Sequence, residues 1–223
     1  MIVKPQPAST RDAVYAALLD QILRLELPPG ASISEKDISE RFGVSRTPVR
    51  ESFVRLSQEG LLEVYPQRAT FVSLIDLELA EEARFMREQL ERAVIRLACG
   101  AFPAEHLLAL QTNLTQQKAC IEEEDDKKMF ELDEAFHRTI FEGCHKSNTW
   151  AVIQQINVHL NRTRVLRLAD DHHWDELYNQ HLQMVESIRL QHADQAEQLM
   201  TEHLHLTIAD QALLKQKYPT YFK

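Results

Sequence analysis

Apolar positions in the first quarter of the chain recur at helical spacing, and each run ends at recognisable punctuation. Val14, Leu18, Leu19, Ile22 and Leu25 form one stripe, which predicts a helix over 10–25. The stretch ELPPGASIS then breaks it with two prolines and a glycine. Ser34 is a good N-cap, and Asp37 three positions later completes a capping box. The next helix buries Ile38 and Phe42 and ends at Gly43, the residue type suited to a left-handed C′ position. Ser45 caps a third helix whose core-facing stripe is Val49, Phe53 and Leu56. Pro48 falls in its first turn, where the missing N–H costs nothing, and Gly60 stops it.

Two short apolar runs follow, Leu62 and Val64 before Pro66-Gln67-Arg68, Phe71 and Val72 after it, and they predict a small hairpin. From Asp76 onward only helical periodicity is present, over 76–99, 103–123, 127–143, 148–169, 173–191 and 193–216. The chain is therefore expected to be mainly α. Two capped helices joined by the tight turn FGVS, and then a hairpin, give the order of a winged helix-turn-helix, placed at 1–75. Residues 76–223 are expected to form an all-α helical bundle. No internal repeat is visible, and the acidic run from Glu122 to Asp126 reads as a solvated helix end.

Composition narrows the class. The 223 residues are 44% hydrophobic and 26% charged, which is the profile of a soluble globular protein. No apolar run approaches bilayer length, and the start MIVKPQPASTRD lacks the apolar stretch of a signal peptide, so a cytoplasmic location is expected. Cys99, Cys120 and Cys144 are odd in number and widely spaced, which suggests buried or idle thiols in a reducing compartment. The net charge of −9 argues against nonspecific coating of nucleic acid, yet it is unevenly spread. Residues 1–75 hold nine basic and nine acidic residues, while the remainder holds sixteen basic and twenty-five acidic. A neutral front joined to an acidic rear suggests two domains with different partners.

Against that background the stretch FGVSRTPVRESFVRLSQEG, Phe42 to Gly60, stands out. Arg46 and Arg50 lie one helical turn apart at the start of the second helix of the motif, with Thr47 beside them. In a winged helix-turn-helix those positions enter the DNA major groove, and arginine can bond guanine O6 and N7 with two parallel N–H groups. The helix start at Ser45 offers free backbone N–H groups to a phosphate, and Arg68 at the hairpin tip could reach the backbone or minor groove. The competing reading is a solvated cation, with Arg50 paired to Asp37 or to an acidic neighbour of Glu51.

A second group lies in the rear. Asp133 and His137 are an i, i+4 pair on one helix face, and His181 and His203 each sit within the apolar stripe of a later helix. One carboxylate oxygen and three imidazole nitrogens could hold a divalent transition metal, with Zn the first choice and Ni, Mn or Fe admissible. Each histidine taken alone reads as a hydrogen-bonded core residue. Glu131 and Glu134 are expected on other faces. An enzyme using the Asp/His₃ site, or a purely structural metal, are the alternatives to sensing.

The stretch PPGASISEKDISERFGVSRTPVRESFVRLSQEGLLEVYPQRATFV resembles the N-terminal domain of GntR-type bacterial transcription regulators over about Val14 to Val72. That resemblance implies that Lys36, Ser45, Arg46, Thr47 and Arg50 face DNA, with the wing around Gln67 and Arg68. The family commonly has glycine after the wing arginine, where this chain has Ala69. Residues 76–216 resemble the all-helical (FCD-type) sensing domain of the FadR subfamily in its metal-binding branch, with Asp133, His137, His181 and His203 at the ligand positions. The resemblance implies a homodimer on a palindromic operator, acting most often as a repressor, with a small carboxylate effector near the metal. Arg87 in RFMREQLERAVIRLA is the implied effector contact, with Asn161 and Arg164 as further candidates, although Glu91 one turn on could absorb Arg87.

Overall fold

The computed structural model describes residues 9–65, 69–168, 174–206 and 211–223. These residues form two compact units, one from those up to Asp76 together with Lys215–Lys223, the other Leu77–Leu214. Among them no helix is long and apolar enough to cross a membrane.

The front unit contains α1 (Thr10–Leu23), β1 (Ser32–Ile33), α2 (Glu35–Phe42), α3 (Arg46–Gln58), β2 (Leu62–Tyr65) and β3 (Ala69–Val72). Val14, Leu18 and Ile22 of α1 are buried, as are Ile38 of α2 and Val49, Phe53 and Leu56 of α3. The Ser34 hydroxyl accepts from Asp37 N at 3.1 Å and donates to the Asp37 carboxylate at 2.7 Å, so the α2 cap is local and tight. Gly43 adopts φ 63°, the left-handed conformation that lets the chain turn sharply into α3. Ser45 has the extended backbone of an N-cap, but its side chain makes no capping hydrogen bond.

β2 and β3 pair antiparallel from Leu62–Val72 to Tyr65–Ala69, so the expected hairpin is present; its tip, 66–68, lies outside the described residues. A third strand was not expected. β1 pairs antiparallel with β3, giving the order β1-β3-β2. Two residues are too few to show a period, and Ser32–Ile33 sits inside a stretch that reads as a turn. The chain is mainly α, with a winged helix-turn-helix in front.

The sequence assigns the last nine residues to the rear, yet they pack with the front unit. Ile75 N donates to Tyr221 O at 2.7 Å and Lys223 N to Ile75 O at 3.0 Å, a short parallel bridge between Ile75 and Phe222. Ile75 is fully buried and Phe222 nearly so.

The rear unit contains α4 (Leu77–Ala98), α5 (Ala104–Glu122), α6 (Asp126–Gly143), α7 (Ser147–Ile156), α8 (Val158–Leu168), α9 (Trp174–Leu190) and α10 (Ala193–Leu206); α11 (Gln211–Lys217) leads out of it. Val94, Ile95, Leu110, Phe136, Ile140, Ile153, Met184 and Met200 share one core. Gly143 lets the Phe102 ring lie against α6, where any Cβ would collide with it.

The expected helix 148–169 is two helices. The break falls at Asn157, yet Asn157 N still bonds Ile153 O at 3.0 Å and Asn161 N bonds Asn157 O at 2.7 Å. No glycine or proline marks the break, so periodicity alone runs straight through it. The expected helix 193–216 corresponds to α10 and α11, with 207–210 outside the described residues.

Candidate metal centre and nucleic-acid interface

On the front unit, Lys36, Ser45, Arg46, Thr47 and Arg50 are all exposed. α3 has no acidic residue in its first turn, and the uncapped Ser45 leaves its first N–H groups available to an anion. Arg50 does have a partner, and it is neither Asp37 nor a neighbour of Glu51. It is Glu35 at the start of α2, whose carboxylate accepts from Nε at 3.1 and 3.2 Å and from Nη2 at 3.0 Å. Lys36 lies 3.9 Å from Glu40. Arg46 makes no ion pair among the described residues. Gln67 and Arg68 lie outside the described residues.

In the rear unit, α6 supplies Asp133 and His137, α9 supplies His181 and α10 supplies His203, and all four are buried. One ligand atom from each lies within 4.8 Å of every other. Asp133 Oδ1 is 3.5 Å from His181 Nε2 and 3.8 Å from the Nε2 atoms of both His137 and His203. His137 Nε2 and His203 Nε2 are 3.2 Å apart.

The opposite edge of every ring is held. His137 Nδ1 faces Glu91 Oε2, His181 Nδ1 faces Gln117 Oε1 at 2.9 Å, and His203 Nδ1 faces Gln180 Oε1 at 3.1 Å. An acceptor at Nδ1 places the N–H there, so each Nε2 turns a lone pair toward the same point. Among the described residues His181 Nε2 has no hydrogen-bond partner. Donor set, spacing and tautomers all fit a divalent transition ion, whose tetrahedral ligands stand about 3.3 Å apart when bonds are near 2 Å.

The electrostatics agree. Burial lowers the His181 pKa to about 3 and pushes His203 well below its usual value, which keeps both imidazoles in the ligating form. Burial alone would raise the Asp133 carboxyl, but the Arg164 guanidinium bonded to it outweighs burial and holds it well below the usual range. Glu91 follows the same logic, lowered to about 2 by Arg87 and His137 against its burial.

The expected effector contacts lie beside this cluster. Arg87 is buried and bonded to Glu91, as the i, i+4 spacing allowed, and its Nη1 reaches Glu134 at 3.5 Å. Arg164 binds Asp133 Oδ2 through Nη2 and Glu134 Oε1 through Nη1, and Nη1 also donates to Asn161 Oδ1 at 3.1 Å. Glu134 therefore does not face away; it bridges both guanidinium groups. Among the described residues, the buried Arg87 Nη2, Arg164 Nε and both amide atoms of Asn157, one turn before Asn161, lack hydrogen-bond partners. Glu91, Gln117, Gln180 and Glu134 were not picked out as site residues by sequence. For Glu91 a signal existed in its spacing to Arg87; for the two glutamines only their proximity to inward stripes could have pointed to them.

The profile described as "Bacterial regulatory proteins, gntR family" matches residues 10–72, and the "FCD domain" profile matches 82–206. An HTH-type transcriptional repressor, RspR of Escherichia coli, is 30% identical over 209 residues, covering 94% of this chain and 92% of its own length. The chain belongs to the GntR family of transcription regulators. Another relative of this GntR protein, an HTH-type transcriptional regulator from Streptomyces ambofaciens, is 33% identical over 96% of this chain and 90% of its own. Among solved structures, E. coli McbR/YncC shares the fold at a TM-score of 0.78 and 23% identity, covering 94% of this chain and 99% of that one. A GntR regulator from Rhodococcus sp. RHA1 does so at 0.74 and 22%, with coverage of 94% and 99%. The GntR chain described here is thus a DNA-binding transcription regulator with an FCD domain, and not an enzyme.

Proposed function

We propose that this regulator is a cytoplasmic homodimeric repressor of the FadR subfamily, whose hold on a palindromic operator is set by a small carboxylate bound at a metal-containing site in the rear unit. The observation that carries the reading is the convergence of three Nε2 lone pairs and Asp133 Oδ1 on one point, with every Nδ1 held from behind. Asp133, His137, His181 and His203 would hold the ion, and Lewis acidity toward a carboxylate oxygen is what it supplies when bound. Arg87 and Arg164 hold the negative charge of Glu91, Asp133 and Glu134 beside it, and their unpartnered N–H groups suit a second acceptor from the effector.

In the front unit, Arg46, Thr47 and Arg50 would meet bases, with Lys36 and Ser45 on phosphates. Leu79, Met86 and Leu97 lie in register along α4 and are exposed, which supports pairing with a second copy. The name of RspR as a repressor supports the sign of control. Only differential affinity of the carboxylate for two arrangements of the dimer can move operator binding.

The test uses an operator selected from random duplexes. Protein stripped by chelator and reloaded with Zn²⁺ should take up about one ion per chain, and a panel of small carboxylates should shift operator affinity only when the ion is present. Unchanged operator affinity across the panel would remove the effector; full metal content in His181→Ala would remove the ligand set.

A further inference from the structure

Glu35 is an acidic residue on the face offered to an anionic polymer, which needs a reason. A guanidinium carries two parallel N–H pairs, one along its side (Nε and Nη2) and one at its end (Nη1 and Nη2). Glu35 occupies the side pair of Arg50, with Nε donating at 3.1 and 3.2 Å and Nη2 at 3.0 Å. Among the described residues nothing accepts from Nη1. The end pair is left free, and it has the geometry that matches guanine O6 and N7.

Arg46, one turn earlier on the same helix, makes no ion pair among the described residues. The two arginines are therefore in different states, one braced and one loose. An exposed ion pair contributes little to stability, and Arg50 is 70% exposed, so the brace is not accounted for by folding. A braced fork loses less side-chain freedom on meeting a base, and it is aimed before contact is made.

We propose that Glu35 is a positioning residue for operator reading: it fixes Arg50 with its end N–H pair toward the groove. The same carboxylate partly cancels the charge of Arg50 and repels phosphates, so it holds down attraction to random DNA. Glu35 thus trades general affinity for discrimination. The inference rests on the reading of Arg50 as a base contact.

The test compares the full chain with Glu35→Gln, Glu35→Asp, Arg50→Ala and the double variant Glu35→Gln/Arg50→Ala. Each is titrated with the selected operator, its single-base variants and a random duplex over a range of salt. Glu35→Gln is expected to lower discrimination about tenfold at one base pair, within the range a bidentate contact supplies. It should also tighten binding to random duplex and steepen the salt dependence by up to about one ion. Glu35→Asp should recover part of the discrimination, and the double variant should discriminate no worse than Arg50→Ala. Discrimination unchanged in Glu35→Gln but lost in Arg50→Ala overturns the inference and leaves the base reader standing. Discrimination retained in Arg50→Ala overturns the reader itself. A uniform loss at every position, with a lowered melting temperature, makes Glu35 a purely structural residue and also overturns the proposal.

Discussion

His137 and His203 bring their Nε2 atoms to 3.2 Å while each offers its Nδ1 to an acceptor on another helix. With the N–H groups on Nδ1, neither ring can donate to the other, and two lone pairs confront one another inside a buried site. Asp133 adds a third negative end 3.8 Å from both. A cation removes that repulsion. Excess Zn²⁺, at about a thousand times its dissociation constant, should therefore stabilise the fold by about 4 kcal/mol, seen as a rise in melting temperature that a chelator reverses. A melting curve indifferent to both additions would count against the ion.

Gln117 makes a second, separable prediction. Its side chain is fully buried, accepting from His181 Nδ1 at 2.9 Å and donating to Asn113 Oδ1 at 2.6 Å. Gln117→Met keeps the volume but removes the acceptor, so the His181 ring loses its preferred tautomer. Metal affinity should fall ten- to a hundredfold while helical content stays the same. Competition with a coloured chelator reads the affinity; equal competition by both proteins would show that Gln117 does not orient the ring.

Arg164 tests the balance of charge behind the ligands. It contacts Asp133 and Glu134, and Asp133 is almost wholly buried. Arg164→Ala leaves Asp133 without its guanidinium and Glu134 with Arg87 alone, at a cost of about 3–5 kcal/mol in metal-free protein. Reloaded metal restores positive charge beside Asp133, so the loss should be smaller in the loaded form. Arg164→Lys should rescue poorly, because a single ammonium cannot span two carboxylates as the fork does. Melting curves of the loaded and stripped variants decide this; equal losses in both forms would refute it.

The caps were legible because they are local. Ser34, Gly43 and Pro48 act within a few residues of themselves, and each marks its boundary in the sequence. The meeting of Asp133, His137, His181 and His203 was legible too, since each falls on an inward stripe and the stripes share one core. What escaped was non-local or too brief. The partner of Arg50 is fifteen positions away on another helix, and nothing in a local pattern selects Glu35 over Asp37. Glu134 follows a ligand by one residue, so a helical wheel turns it aside, yet Arg87 and Arg164 draw its long side chain back. β1 is too short for any period, and no glycine or proline marks the break at Asn157.

The cysteines give a simple chemical check. Burial pushes the Cys144 thiol up to about 11 and raises Cys99 and Cys120 as well. At pH 8 only about one Cys144 in a thousand is then a thiolate. Folded protein should resist iodoacetamide for hours, whereas denatured protein should take up three labels, as mass spectrometry would show. Rapid labelling of the folded chain would mean that these thiols are more open than their surroundings indicate.

The front unit is assembled from two stretches of chain that are far apart in sequence, since Tyr221 O and Lys223 N bond the backbone of Ile75 in a short parallel bridge opposite Phe222. Anyone building chimaeras between such regulators would therefore err by cutting once, near residue 75. A graft of the DNA reader that leaves its own closing segment behind strips the Ile75 N–H and C=O of their backbone partners. Transplanting both pieces together is the modular unit, and it makes the exchangeable cassette discontinuous.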